Sequence, residues 1–205
     1  MKKSVICLLS ILFALGATAV WTAADAHEAR EDLAGKLIRL HVVANSDSEA
    51  DQAVKLQVRD VVLEAAESQL EDCATVEEAE KRLKGLLPEL EALAAAVTAE
   101  NGFDYSARAA LTWEAYPTRE YDTFTLPAGR YLSLRVTLGE GEGQNWWCVV
   151  FPPLCMAATT EEFAGSAETA GLTEEEVSLI TQESEGYVVR LKIIELVEEW
   201  ISGLS

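Results

Sequence analysis

The hydrophobic pattern of the chain changes period several times, and each change predicts a secondary-structure element. Residues 37–44 are β-branched and aliphatic, which predicts a strand. Two stretches with apolar residues at helical spacing follow, and capping-box pairs open them: Ser46 with Glu49, and Thr75 with Glu78. The apolar faces of these two helices are Val54, Val58, Val61, Val62 and Ala65, and Ala79, Leu83, Leu86 and Leu87.

After the second helical stretch the period changes to that of strands. Pro88 either ends the second helix or lies in the first turn of a further helix over residues 89–100. Alternation over 105–113 and 131–138 gives each segment one polar and one apolar face, which is typical of one-sided strands. The glycine-rich run GEGEG then predicts the turn of an antiparallel hairpin over 130–151.

The order of these elements predicts an α+β protein. We expect a largely antiparallel sheet of about four strands, with helices packed on one face of the sheet. Residues 27–155 would form this domain. Residues 156–205 are interpreted as an acidic loop region, with a short helix over 173–181, and a C-terminal amphipathic helix packed on the same domain.

Residues 1–26 predict export from the cytoplasm. Two lysines precede an apolar run from Val5 to Trp21, and Ala24 and Ala26 provide the small residues of a cleavage site. We expect a signal peptide that is removed after Ala26. An uncleaved signal anchor is the alternative, because the apolar run is long for a signal peptide.

The segment NWWCVVF, residues 145–151, breaks the one-sided pattern of the other strands. Neighbouring side chains of a strand point to opposite faces, so Trp146 and Trp147 cannot enter one core from the same side. Either another element, such as the C-terminal helix, covers the second face, or that face binds a partner. We interpret the region as a partner-binding surface without assigning its face; its candidate residues are Trp146, Trp147, Phe151, Pro152, Pro153, Tyr116 and Arg119.

The cysteines of an exported protein can form disulfides. A straight strand would hold the Cα atoms of Cys148 and Cys155 roughly 23 Å apart, but the chain can reverse at Pro152-Pro153. We predict a Cys148–Cys155 disulfide and a buried free thiol at Cys73. Two buried free thiols at 148 and 155 are the alternative.

Charge and motif content restrict the chemistry that the chain can perform. The sequence has 16 Lys and Arg against 35 Asp and Glu, a net charge of −19, which repels nucleic acid and anionic lipid headgroups. It has two histidines, His27 and His41, and lacks HExxH, CxxC and GxSxG motifs. We therefore predict no catalytic residues, metal ligands, cofactor or small-molecule substrate, and we interpret ANSDSEADQ (44–52) as a capping turn.

Three sequence blocks between residues 37 and 155 resemble the stage II sporulation protein R family of endospore-forming bacteria. The blocks are RLHVVANSDSEADQAVKLQVRD, YPTREYDTFTLPAGRYLSLRV and GEGQNWWCVVFPPLC. The resemblance implies a signalling protein that the forespore exports into the space between the two sporulating compartments. Its implied partner is a membrane-embedded aspartic protease of the mother cell, which removes the pro-segment of the early mother-cell sigma factor.

On this interpretation the protein is not an enzyme, and it would contact the membrane only through an uncleaved N-terminal segment. A different class of function remains open, because exposed tryptophans also stack on sugars. The alternative is a secreted peptidoglycan-binding module or a wall-active enzyme.

Overall fold

A computed structural model of the protein describes residues 28–121, 124–155, 165, 167, 168 and 171–181. The chain divides into two compact units. One unit is Leu33–Glu183; the other is Met1–Asp32 together with Ser184–Ser205, and its described residues, 28–32, are helical. The predicted signal segment, its cleavage site and the predicted C-terminal helix lie outside the described residues.

The larger unit is built on a four-stranded sheet. Its strands are β1 (Ile38–Val43), β2 (Ala107–Tyr116), β5 (Gly129–Leu138) and β6 (Asn145–Phe151), and a separate two-stranded ribbon pairs β3 (Arg119–Glu120) with β4 (Thr125–Leu126). The order across the sheet is β2–β5–β1–β6. Strand β1 is parallel to β5 and antiparallel to β6, and β2 is antiparallel to β5.

This topology corrects two predictions. The sheet is mixed, not largely antiparallel, and β5 and β6 do not form a hairpin because β1 lies between them. All six residues of β1 are buried, as expected for a central strand that is covered on both faces. The GEGEG connection passes the end of β1 instead of forming a tight turn: Gly143 N donates to Ala44 O at 3.0 Å.

Helices α1 (Glu49–Leu70) and α2 (Val76–Glu100) agree with the helical patterns but differ from the prediction in two details. The N-cap of α1 is Ser48, not Ser46, because the Ser46 hydroxyl donates to the Asp51 carboxylate instead. Helix α2 begins after its predicted cap, Thr75, and continues through Pro88. Pro88 therefore neither ends this helix nor begins another, and the prediction of a separate helix over 89–100 is wrong. An internal proline removes one helical N–H donor, and tertiary packing can offset that loss.

Two hydrophobic cores lie on opposite faces of the sheet. Helices α1 and α2 cover one face and form the first core with apolar side chains of β1 and β5, among them Leu40, Val42, Leu134 and Val136. The other face has its own core, to which the short helix α3 (Glu174–Thr181), the β3–β4 ribbon and the segment before β1 contribute Val177, Ile180, Leu126, Leu33 and Leu37. The prediction that helices pack on one face of the sheet is therefore confirmed for α1 and α2. The second face is also covered in part, by α3, the ribbon and the segment before β1.

The position of α3 agrees with the short helix predicted over 173–181. Among the helices in the described ranges, none has both the length and the hydropathy needed to cross a membrane.

Candidate functional site

The two adjacent tryptophans lie on opposite faces of β6, as the alternation predicted. Trp146 packs against the first core, and the Arg59 guanidinium carbon lies 4.3 Å from its ring centroid. Trp147 faces the second core, with the Arg119 guanidinium carbon 5.1 Å from its ring centroid. Both rings are half-buried. Each tryptophan is therefore part packing residue and part surface residue.

The other candidate binding residues divide between surface and core. Phe151 is 1% exposed and Tyr116 is 5% exposed, whereas Arg119 and Pro153 are exposed. Pro152 is buried. The structure brings Trp147, Tyr116 and Arg119 together, since the Tyr116 and Trp147 ring centroids are 5.8 Å apart. Phe151 belongs to the first core with Trp146.

The chain reverses after β6, and this reversal carries the predicted disulfide. Residues 152 and 153 form a turn that follows a cis Phe151–Pro152 peptide bond. Cys148 and Cys155 are joined as a disulfide, with Cα atoms 5.4 Å apart. Cys73 is a buried free cysteine. Both cysteine predictions are confirmed.

Arg39 lies at the centre of an aromatic cluster on the second face. It is 0% exposed, and its guanidinium carbon is 3.9 Å from the Tyr116 ring centroid and 5.2 Å from that of Tyr131. Its Nη2 donates to the Tyr121 hydroxyl, whereas its buried Nε and Nη1 have no hydrogen-bond partner. We call Arg39, Arg119, Tyr116, Tyr121, Tyr131 and Trp147 the aromatic–arginine site.

A row of polar side chains next to this site crosses all four strands. Arg135 Nη1 donates to Glu114 Oε1 at 2.6 Å, and Glu114 Oε2 lies 3.0 Å from His41 Nδ1. His41 Nε2 lies 2.7 Å from Asn145 Oδ1. Burial raises the pKa of Glu114, but the hydrogen bonds from His41 and Arg135 outweigh burial, so the net pKa lies below its usual value. The carboxylate therefore remains ionised at neutral pH and holds the row together.

The polar row contains a His–Glu pair but does not present it as a hydrolase site would. The second ring nitrogen of His41 faces Asn145, and the sulfur of Cys148 is in a disulfide and is not a free thiol that could act as a nucleophile. Within the described ranges, no group of three or more His, Cys, Asp and Glu side chains is placed to hold a metal ion. This geometry differs from that of a Ser-His-Asp triad, in which the second ring nitrogen of the histidine faces the nucleophile.

The sequence identified Trp147, Tyr116 and Arg119 as candidates but missed the other three residues of the aromatic–arginine site, Arg39, Tyr121 and Tyr131. The period-2 pattern places Arg39 and His41 on one face of an otherwise apolar strand, and that was the available signal. Tyr121 and Tyr131 reach Arg39 from the β3–β4 ribbon region and from β5, which no local pattern predicts.

The fold and the site together define a small α+β domain with an aromatic, arginine-rich face. The sequence profile of the stage II sporulation protein R family matches residues 34–161. Stage II sporulation protein R of Bacillus subtilis (strain 168) is 35% identical over 160 residues, which cover 76% of this chain and 71% of that protein. The chain therefore belongs to the stage II sporulation protein R family, as its three sequence blocks suggested. No solved structure matches the chain.

Proposed function

We propose that this protein is an exported signal that passes from the forespore to the mother cell during endospore formation. It activates a membrane-embedded aspartic protease, which then removes the pro-segment of the early mother-cell sigma factor. In this role the protein is a ligand in the space between the two compartments and not itself the protease. Family membership and the signal-like N-terminal pattern support the proposal.

The structural observation that carries the proposal is the placement of Trp147 and Arg119 on the face of the sheet opposite helices α1 and α2. Helices α1 and α2 have eleven acidic and five basic residues, whereas the six strands have five arginines and two glutamates. The short helix α3 adds three glutamates on the Trp147 side, of which Glu176 is paired with Lys36. The anionic lipids around a membrane-embedded receptor repel the acidic layer that α1 and α2 form. Tryptophan, tyrosine and arginine are the residue types that dominate binding energy in protein interfaces. We therefore assign the receptor-binding surface to the face of Trp147.

Alanine substitution of each tryptophan tests this assignment. The protein is co-expressed with the candidate protease and its pro-sigma substrate, cleavage is measured on a gel, and thermal melting gives the folded fraction. We expect Trp147→Ala to reduce activation per folded molecule about thirtyfold, the loss that corresponds to about 2 kcal/mol of binding energy. Trp146→Ala should lower stability by about 2 kcal/mol, less than for a fully buried tryptophan, and still activate when folded.

Trp113 provides a matched control. It is 55% exposed on β2 and lies opposite Leu132 on the helix-covered side of the sheet. Trp113→Ala should retain both stability and activation. If the Trp147 variant activates like the wild type, or if only the Trp146 variant fails while folded, Trp147 is not on the binding surface.

Peptidoglycan binding is a second candidate function, because the half-buried Trp147 ring has polar neighbours that suit a sugar. Asn145 is exposed on the same face of β6, and Arg119 lies over the ring. A pull-down on purified peptidoglycan separates the two functions. Retention that Trp147→Ala abolishes favours wall binding, and wild-type protein that stays in the supernatant counts against it.

A further inference from the structure

The guanidinium group of Arg39 lacks the partners that a buried charge normally has. A buried arginine is usually paired with a carboxylate and has its N–H groups hydrogen-bonded. Arg39 is 0% exposed, yet its Nε and Nη1 are unpartnered, and its remaining contacts are tyrosine rings and one tyrosine hydroxyl. Cation–π contacts compensate part of the desolvation but do not satisfy N–H donors.

A second arginine of the same site has no acidic partner within the part of the chain that the structure describes. Arg119 is exposed over Trp147, and none of the ion pairs among the described residues includes Arg119 or Arg39. Glu114, the neighbouring acid of the polar row, is occupied by His41 and Arg135. Two arginines that pair with no carboxylate of the described residues therefore share one face of a protein with a net charge of −19.

The hydroxyl of Tyr121 occupies the position where an anion would bind. It accepts a hydrogen bond from Arg39 Nη2, and the charges of both Arg39 and Arg119 act on it. Nη2 is the nitrogen that both planar edges of the guanidinium group have in common. If the hydroxyl leaves, Nη2 can bind a carboxylate at two points, together with either Nε or Nη1.

We propose that Arg39 and Arg119 bind a carboxylate from an acidic side chain of the receptor, and that this carboxylate displaces the Tyr121 hydroxyl. The proposal rests on the proposed function, since it names the chemistry that the receptor offers to this surface. A neutral phenol keeps one donor of the buried arginine satisfied until an anion replaces it. The exposed Arg119 attracts the anion, and the buried Arg39 holds it in a dry environment, where a charge-assisted pair is strongest.

A titration with sodium acetate tests the anion site without the receptor. The readout is the ¹⁵N-NMR signal of the Arg39 Nε–H group, with thermal melting as a check of the fold. Acetate should shift this signal in the wild type, and Tyr121→Phe should bind acetate about tenfold more tightly because no hydroxyl has to be displaced. If Tyr121 has only a structural role, the opposite is expected: Tyr121→Phe is destabilised and gains no affinity for acetate.

Lys55 supplies the matched control for the buried charge. It is 5% exposed and makes two hydrogen bonds, with Nζ donating to Gln52 Oε1 at 2.6 Å and to Gln144 O at 3.1 Å. Lys55→Met should lose stability and leave the acetate response of Arg39 unchanged. Arg39→Met should stay folded, because it removes an unpaired buried charge, and should lose activation of the protease at least tenfold.

The source of the carboxylate is tested by adding the extracytoplasmic part of the receptor or purified peptidoglycan to the same NMR sample. A shift of the Arg39 signal with the receptor supports the proposal, and a shift with peptidoglycan alone overturns the receptor as the source. Unchanged signals with acetate in both the wild type and Tyr121→Phe overturn the anion site itself. If the wild type never triggers cleavage, the proposed function fails, but the acetate titration still decides the anion site.

Discussion

At the scale of single residues, Asp51 shows how the stretch ANSDSEADQ acts as a structural element. Asp51 is 4% exposed, and its carboxylate accepts hydrogen bonds from Asn45 Nδ2 at 3.1 Å, from Tyr105 OH at 2.8 Å and from the Ser46 hydroxyl. Burial raises the pKa of Asp51, but these hydrogen bonds outweigh it, so the net pKa lies below the usual value. The side chain joins the end of β1, the start of α1 and the segment before β2.

Asp51→Asn should lower the free energy of unfolding by about 3 kcal/mol at neutral pH, because an amide group would point a donor at groups that are themselves donors. The lowered pKa fixes the sign of the pH dependence. The contribution of the carboxylate is present above the unfolded pKa, about 3.9, and is lost as the pH falls through the lower folded pKa. Urea unfolding of both proteins from pH 7 downwards measures the difference.

The difference between wild type and Asp51→Asn should shrink as the pH falls below about 4, since a protonated aspartate also carries a donor. A difference that stays constant down to pH 2 would show that the charge of Asp51 does not stabilise the fold.

At the scale of secondary-structure elements, the sequence predicted local features well and strand pairing poorly. The buried faces of α1 and α2 follow from helical spacing, and Val54, Val58 and Leu83 are indeed in the first core. Insertion of β1 between β5 and β6 depends on contacts across about a hundred residues, which the alternation of a single strand cannot reveal. The continuity of α2 through Pro88 likewise depends on packing that outweighs the local preference of proline.

The GEGEG connection gives a prediction at this scale, because its glycines contact the end of β1. A Cβ atom on Gly143 would lie 2.2 Å from Ser46 O, so Gly143→Ala should displace backbone and cost about 3 kcal/mol. Gly85 is the control: it is inside α2 with nothing within 4 Å of a Cβ, so Gly85→Ala should stabilise the protein by about 0.5–1 kcal/mol. The melting temperatures of the two variants should therefore shift in opposite directions relative to the wild type. Shifts of equal sign would contradict the close approach at Gly143.

At the scale of the whole molecule, folding separates charges that the sequence only counts. The net charge of −19 and the arginines of the predicted strands were available from the sequence, but the grouping of Arg39, Arg119 and Arg135 on one face was not. Arg39, Arg119 and Arg135 belong to three different strands and share one face only because β5 pairs with β1 and the ribbon lies beside them. For the same reason the sequence identified Trp147, Tyr116 and Arg119 as candidates but could not group them with Arg39 and Tyr121.

This separation of charge predicts the orientation in which the protein would meet the proposed membrane-embedded receptor. Glu64 on α1, Glu71 at the C-cap of α1 and Glu89 on α2 are exposed on the side opposite Trp147, so the triple substitution to lysine should change activation by no more than about twofold. Arg119→Glu, a single change on the opposite face, should reduce activation at least about tenfold, because it places a like charge against an acidic partner. Cleavage of the pro-sigma substrate, measured at low and high salt, compares the two variants.

The Arg119→Glu defect should diminish at high salt because ions screen an exposed charge. If the triple variant loses activation as severely as Arg119→Glu, the helical layer also meets the receptor, and the assignment of the surface to the Trp147 face fails.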